Sequence, residues 1–343
     1  MSLAGSDRAF TQAEVIIRDQ GQVHRAIASI PEIRAWARER GPAIAERVQA
    51  IMSRLTMPRP DFAGIDFDRP RIMGIVNCTP DSFSDGGCYR DPDRAIAHGE
   101  ALWAQGAEIL DIGGESTRPG AAEVPVAEEI ARILPVVRHF AGKVRVSIDT
   151  RHAAVMRAAL DAGADIINDV TGLSGDPDSG AVVAAAGAPV VLMHMRGEPQ
   201  TMQRAPRYDD AALDVYDELA DRVDAAVAAG IAPAALVVDP GIGFGKTAQH
   251  NIEILTQLTL FHGLGVAVLV GLSRKRFIGL LSRDEPADQR LAGSLAGGIA
   301  AWDQGAQILR VHDVAATAQA RAIWLAINRQ SPSPRPAGVE ASV

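Results

Sequence analysis

Few cysteines, few aromatic side chains and no excess of basic residues limit the classes to which this chain of 343 residues can belong. Two cysteines, Cys78 and Cys88, are too few for a disulfide framework and are typical of a reducing compartment, so we expect a cytoplasmic protein. Aromatic residues make up only 4% of the chain, which disfavours an aromatic-rich β-sandwich. The net charge of −8 argues against nucleic acid as the main partner, because binding to phosphates needs a basic surface.

Apolar runs long enough to cross a membrane are also missing from the sequence. The longest one, 180–195, contains Pro189 and His194 and falls short of a membrane span. Charged residues interrupt the first twenty positions, which is not the pattern of a signal peptide. We therefore expect no membrane partner.

A repeating strand-then-helix pattern begins at Arg71. Its short apolar runs do not alternate with polar residues, which predicts strands buried on both faces of a parallel sheet. Eight such strands, each followed by a helical stretch, predict a (β/α)8 barrel, the TIM-barrel fold. A doubly wound α/β sheet is the alternative, but its phosphate fingerprint after the first strand is missing. The predicted strands are 71–77, 108–113, 144–149, 165–169, 189–194, 236–240, 267–272 and 308–312.

The chain is predicted to have three parts. Residues 1–70 form an N-terminal extension and linker, 71–329 form the barrel, and 330–343 form a disordered tail rich in proline and small residues. Within the extension we expect a short strand over 14–19 and a helix over 42–55. The helix has an apolar stripe that must be covered, so the extension should dock on the barrel or on a second subunit.

Polar residues stand at the carboxyl ends of the predicted strands, where barrels of this type carry their active sites. At any single strand end, a helix N-cap or a turn residue is the more frequent explanation. Many polar groups at one barrel mouth indicate a ligand, because burying them unpaired is costly. The strand-end residues are Asn77, Glu115, Asp149, Asn168, Asp169, His194, Asp239, Arg274, Lys275, Arg310 and His312.

These strand ends divide into two chemical groups. Asp149, Asn168 and Asp239 suit a flat heterocycle rich in N–H donors, because a carboxylate can accept two hydrogen bonds from a guanidine-like edge. Basic residues from the last two strands, with Asn77 as a candidate metal ligand, suit phosphate or carboxylate groups. A heterocycle that carries a diphosphate would satisfy both groups.

Two long glycine-containing loops, 79–90 and 115–123, follow the first two strands. They are candidate lids over the site, with passive surface loops as the alternative. The segment 239–247, DPGIGFGKT, is close to both a Walker A loop and a dinucleotide fingerprint and completes neither. The histidines lack zinc-site spacing, and no GxSxG nucleophile motif is present in the sequence.

Eight motifs in this chain resemble those of the dihydropteroate synthase family, and they occur in the family's order over about 71–328. Several are long and specific. They are NCTPDSFSDGG (77–87), DIGGESTRPGA (111–121), SIDT (147–150), INDV (167–170), LMHMRGEPQTMQ (192–203), DPGIGFGKT (239–247), GLSRKRFIG (271–279) and RVHDV (310–314).

The resemblance implies a folate-pathway transferase that joins para-aminobenzoate to hydroxymethyl-dihydropterin diphosphate, giving dihydropteroate and pyrophosphate. It also implies Mg²⁺ as cofactor, small molecules as the substrates, a homodimer and a sulfonamide target. The implied pterin-binding residues are Asp149, Asn168, Met193, Asp239, Phe244 and Lys275. The implied pyrophosphate-binding residues are Asn77, which also binds Mg²⁺, Arg118, Arg310 and His312. The implied aminobenzoate-binding residues are Thr117, Pro119 and Arg276. The implied catalytic residues are Asp85, Arg118, Asp149 and Lys275.

The chemistry that follows is a dissociative substitution, in which pyrophosphate leaves before the amine of aminobenzoate attacks. Asp85 and Asp149 would stabilise the pterin cation. Cys78 departs from the family, which commonly has a branched apolar residue there, and we interpret it as a packing residue. A methyltransferase barrel that binds methyltetrahydrofolate and a non-catalytic binding barrel are the alternatives. The first would not need the STRPG and SRK motifs, and the second would not retain Asp85, Arg118 and Lys275.

Overall fold

The computed structural model describes residues 1–19, 21–78, 92–115, 124–198 and 201–328. Eight parallel strands form a closed barrel in which each strand pairs with the next along the chain and the last strand pairs with the first. The predicted (β/α)8 barrel is therefore confirmed. The strands are β3 (Arg71–Asn77), β4 (Ile109–Gly113), β5 (Arg145–Asp149), β6 (Ile166–Asp169), β7 (Val190–Met193), β8 (Leu236–Asp239), β9 (Ala267–Val270) and β10 (Ile308–Val311).

Helices on the outside of the barrel alternate with these strands. Between β8 and β9 an α-helix is followed by a 3-10 helix, Leu258–Leu264, and two α-helices instead of one lie between β9 and β10. In the described ranges no helix is both long enough and apolar enough to cross a bilayer. The helices are α3 (Pro92–Ala104), α4 (Val126–Phe140), α5 (Ala153–Asp161), α6 (Ser179–Ala186), α7 (Ala211–Ala228), α8 (Ala248–Thr256), α9 (Arg276–Leu280), α10 (Leu291–Asp303) and α11 (Val314–Asn328).

The inside of the barrel changes character along the strands. Side chains of a strand alternate between its two faces, so every second residue points into the barrel. Near the amino ends the inward residues are apolar and surround Phe62, which is 1% exposed and closes this end of the barrel. The apolar set is Met73, Ile109, Ile166, Val191, Val237, Ala267, Leu269 and Ile308. Two residues further toward the carboxyl end, at the next inward-facing position, several strands carry a polar residue. These polar residues form the candidate site.

The N-terminal extension is a separate small unit that lies against the barrel. Strands β1 (Gln12–Asp19) and β2 (Gln22–Ser29) form an antiparallel hairpin, followed by helices α1 (Ile30–Glu39) and α2 (Pro42–Thr56). The predicted strand and α2 are present, whereas β2 and α1 were not predicted. Residues 330–343, the predicted disordered tail, lie outside the described residues.

Ion pairs and one buried arginine join the extension to the barrel. In the hairpin, Arg18 donates to Asp214 of α7 at 2.6 Å. Arg59, 7% exposed, donates through Nη2 to the backbone oxygen of His262 at 3.0 Å. Inside the extension, Met52 of the predicted apolar stripe packs with Ile30 and Ile33 of α1. The extension thus covers the Met52 part of the stripe, whereas Ile44 and Ile51 stay exposed at 37% and 36%.

Candidate active site

Arg310 links two carboxylates at the centre of the barrel mouth. Its Nε donates to Asp111 Oδ2 and its Nη2 to Asp149 Oδ2, both at 2.6 Å. Asn168 Nδ2 donates to the same oxygen of Asp111 at 3.1 Å. The inward-facing alternation of β4, β5, β6 and β10 brings these four residues together, although they are far apart in sequence.

This cluster shifts the pKa values of its members. Burial raises the pKa of Asp149 to about 7; Arg310 opposes that shift and the neighbouring Asp111 adds to it. Burial alone would lower the pKa of Arg310, but the carboxylates of Asp111 and Asp149 outweigh it and raise the pKa. Arg310 therefore stays charged.

A second group, on the side of β8 and β9, contains Asp239 and Lys275. Asp239 Oδ1 accepts a hydrogen bond from Gly241 N at 2.7 Å, and Met193 is its register partner on β7. Lys275 Nζ donates to the backbone oxygen of Ile242 and lies 4.5 Å from the ring centroid of Phe244. Burial lowers the pKa of Lys275 to about 8, and Asp239 opposes this shift. The structure thus brings the predicted pterin-binding residues of this side together.

The glycine-rich segment after β8 is a tight turn packed against the end of β7. Gly241 has φ +68°, and a Cβ there would lie 1.9 Å from the backbone oxygen of His194. Lys246 contacts His194 Nδ1 at 2.9 Å and donates to the backbone oxygen of Phe244 at 3.0 Å. Burial lowers the pKa of His194 to about 4, so the imidazole is neutral. His194 and Lys246 thus support the turn that carries Asp239 and Phe244.

The loops after β9 and β10 are joined to each other. His312 Nδ1 is 3.1 Å from Ser273 Oγ. Arg274, which the sequence assigned to phosphate, instead donates through Nε to Asp313 Oδ2 at 2.9 Å, and its backbone adopts a left-handed φ of +59°. The guanidinium of Arg274 pairs with Asp313 through two nitrogens, so its assignment to phosphate stays a prediction. Arg276 is exposed at the start of α9.

Asn77 lies at the mouth end of β3, paired in register with Gly113. The position that a Cβ would take at Gly113 is 3.9 Å from both Asn77 Oδ1 and Asp149 Oδ2, so two side-chain oxygens face each other across this glycine. Mg²⁺ prefers oxygen ligands and commonly completes its shell with substrate phosphates and water. The side-chain oxygen of Asn77 is of the type that Mg²⁺ prefers, so Asn77 fits the Mg²⁺ ion that the resemblance implies.

Another group of metal-type ligands occurs in the described part of the chain. One ligand atom each from Glu115, Glu129 and His152 lies within 4.8 Å of the others. Glu115 Oε2 is already paired with Arg151 Nε at 3.1 Å, and Glu129 Oε2 is 2.8 Å from His152 Nδ1. These two contacts already use an oxygen of each carboxylate and the Nδ1 of His152, so we assign the group no metal.

Four predicted site residues, Asp85, Thr117, Arg118 and Pro119, lie outside the described residues. One buried residue of the site was overlooked in the sequence, namely Asp111. A charged residue inside the apolar run of β4 was the available signal, since carboxylates are rarely fully buried unless paired.

Comparisons with known proteins agree with this geometry. The model of the pterin binding enzyme family matches residues 73–312. Dihydropteroate synthase of Escherichia coli K12 is 48% identical over 260 residues, which cover 75% of this chain and 91% of the relative. The Mycobacterium leprae enzyme is 46% identical over 265 residues, covering 74% and 93%.

Solved structures match as well. Xanthomonas albilineans dihydropteroate synthase with 4-aminobenzoic acid has a TM-score of 0.74 and 50% identity, covering 79% of this chain and 98% of that one. The same enzyme with 7,8-dihydropteroate has a TM-score of 0.72 and 46% identity, covering 79% and 99%. With a matching family model and relatives of this identity and coverage, the chain belongs to the dihydropteroate synthase family of pterin-binding enzymes.

Proposed function

We propose that this barrel joins para-aminobenzoate to hydroxymethyl-dihydropterin diphosphate and releases pyrophosphate. The observation that carries the proposal is the meeting of two unlike groups at one mouth, the Asp239–Lys275 side and the Arg310 cluster. The relatives support it, because the Xanthomonas albilineans structures contain 4-aminobenzoic acid or 7,8-dihydropteroate.

The pterin would lie against the Asp239 side. Its guanidine-like edge would donate two hydrogen bonds to Asp239, and Asn168 and Lys275 would hold the opposite edge. Met193 and Phe244 would form the apolar walls, since ring faces prefer apolar contact to water. Asp149 would face the reacting methylene of the pterin.

The diphosphate would lie on the opposite side, near Arg310, His312 and Arg118. Asn77 would hold Mg²⁺, which would supply positive charge to the leaving phosphate oxygens. Thr117, Pro119 and Arg276 would border the aminobenzoate. Thr117, Arg118 and Pro119 enter from the sequence resemblance alone.

The reaction would proceed by dissociation. The methylene C–O bond breaks, and pyrophosphate departs with the electron pair, which leaves a cation delocalised over the pterin. Ionised Asp149, together with Asp85, stabilises that cation through its charge. The aminobenzoate amine then forms the C–N bond and loses a proton.

We further propose a homodimer located in the cytoplasm. Ile323 and Ile327 of α11 are 60% and 69% exposed, and apolar side chains exposed on one helix favour a subunit contact. Sedimentation of the full chain would test the dimer. A monomer at micromolar concentration would contradict it.

Product formation tests the proposed reaction. Dihydropteroate should appear only when both substrates are present, and one pyrophosphate should be released for each dihydropteroate formed. Lys275→Met should lose most of this turnover, whereas Lys143→Met, a matched change at an exposed position outside the site, should keep it. Methyl transfer from methyltetrahydrofolate, or no turnover by wild-type protein, would contradict the proposal.

A further inference from the structure

Asp111 has no assigned role in the reaction, yet it lies in the centre of the site. It is fully buried, one inward-facing position before the end of β4. Its Oδ2 accepts hydrogen bonds from both Arg310 and Asn168, while its Oδ1 has no partner among the described residues. A buried carboxylate is costly unless it is paired, and here Arg310 and Asn168 are the groups that pair it.

The way in which Arg310 is held suggests this function. Nε, the nitrogen nearest the side-chain stem, is bound to Asp111, and the terminal Nη2 is bound to Asp149. A hydrogen bond at Nε fixes the plane of the guanidinium and leaves its terminal nitrogens directed elsewhere, since the fork is rigid and planar. In the proposed reaction, those terminal nitrogens are the ones that would bind pyrophosphate.

We propose that Asp111 is a positioning residue that anchors Arg310 through Nε, so that the terminal nitrogens of Arg310 exchange Asp149 for the substrate diphosphate. The inference rests on the proposed function. Before this exchange, Asp149 shares the guanidinium of Arg310 with Asp111. When Arg310 turns to the diphosphate, the carboxylate of Asp149 becomes available to the pterin cation.

Two physical effects of Asp111 on the anion site have opposite signs. Its negative charge repels an anion, so removing it should strengthen pyrophosphate binding by Coulomb's law alone. As an anchor, however, Asp111 keeps Arg310 from pairing with Asp149 alone, so removing it should weaken pyrophosphate binding. The direction of the change therefore decides between the two effects.

The first test is Asp111→Asn, which preserves shape and removes charge. We expect the Kd of pyrophosphate with Mg²⁺ to rise about tenfold, as for loss of one charge-assisted hydrogen bond. The turnover number should fall, and the KM of para-aminobenzoate should stay unchanged. The control is Ser147→Ala, because Ser147 is the buried register partner of Asp111 and bonds neither Arg310 nor Asn168. It should change each constant less than about twofold.

The second test is a double-mutant cycle with Arg310→Met. If Asp111 acts through Arg310, Asp111→Asn should change the Kd of pyrophosphate by less than about twofold in the Arg310→Met background. Unchanged or tighter pyrophosphate binding by Asp111→Asn, or additive effects in the cycle, would overturn the proposal. If Asp111→Asn does not fold, Asp111→Glu replaces it in the pyrophosphate-binding measurement. It keeps the charge and displaces the anchor, so weaker binding supports anchoring and unchanged binding contradicts it.

The proposed function can fail independently of this inference. If wild-type protein forms no dihydropteroate, the reaction is wrong. The pyrophosphate Kd cycle needs no turnover, so it still tests whether Asp111 acts through Arg310.

Discussion

The two ends of the barrel interior are built from the same strands and have opposite chemistry. On β4, β8 and β10, an apolar inward residue is followed two positions later by a charged one. The three pairs are Ile109 with Asp111, Val237 with Asp239, and Ile308 with Arg310. One end is closed by Phe62 and the other is held by ion pairs. On each of these strands, a core residue and a residue of the site are therefore only two positions apart. Mutations at the apolar end should change mainly the stability of the fold, and mutations at the mouth should change mainly the activity.

The largest effect on activity is expected at Asp239. Asp239→Asn removes the charge that would accept two hydrogen bonds from the pterin and also removes the larger of two carboxylate charges that act on Lys275. We expect kcat/KM for the pterin diphosphate to fall roughly a hundredfold or more, at 1.5–3 kcal/mol for each hydrogen bond to a charged group. The midpoint of thermal unfolding should change little. Steady-state kinetics and calorimetry on the same preparation check both, and retained kcat/KM would remove Asp239 from the pterin site.

The opposite end should respond in the opposite way. Phe62→Ala leaves a cavity among the apolar inward residues and should lower the free energy of unfolding by about 3–5 kcal/mol. The kcat/KM of the protein that remains folded should stay near the wild-type value, because Phe62 packs among the apolar residues at the end of the barrel opposite the mouth. Urea unfolding and kinetics at low temperature measure the two quantities. A loss of kcat/KM comparable to that of Asp239→Asn would mean that the two ends are not separable.

A change of pH should alter kcat/KM less than the Asp239→Asn substitution does. Lys275 has its pKa lowered to about 8, first by burial, with Asp239 opposing. A lysine is charged below its pKa, so kcat/KM should fall as the pH rises through about 8. Lys275→Arg should move this alkaline limb to higher pH, since arginine stays charged over the whole range. An identical limb in both proteins would assign the titration to another group.

Much of the barrel could be predicted from the sequence, because uninterrupted apolar runs define strands buried on both faces. Their ends were correct within two residues. Strand β2 could not be predicted, since most of it is exposed and its pairing with β1 defines it. Helix α9 is too short to show a helical period.

The site was less predictable than the barrel. Strand-end position indicated which residues gather at the mouth, but not with which partner each side chain pairs. Arg274 pairs with Asp313, and Arg310 pairs with Asp111 and Asp149. These partners come from other strands and loops, so the sequence of a single strand does not identify them.

Cys78 should show the smallest effect, and it refines the comparison between the two ends. It lies one residue beyond β3, level with the mouth, and its backbone N donates to the backbone oxygen of Gly113 at 2.8 Å. Its side chain nevertheless packs against the hydrophobic core, and burial raises the pKa of the thiol to about 12, so almost no thiolate exists at neutral pH. Cys78→Val should therefore change kcat/KM less than about twofold, as a swap of similar volume in a packed position. A tenfold or greater loss of kcat/KM would show that the position of a residue along the barrel axis, and not the direction of its side chain, decides whether it belongs to the site.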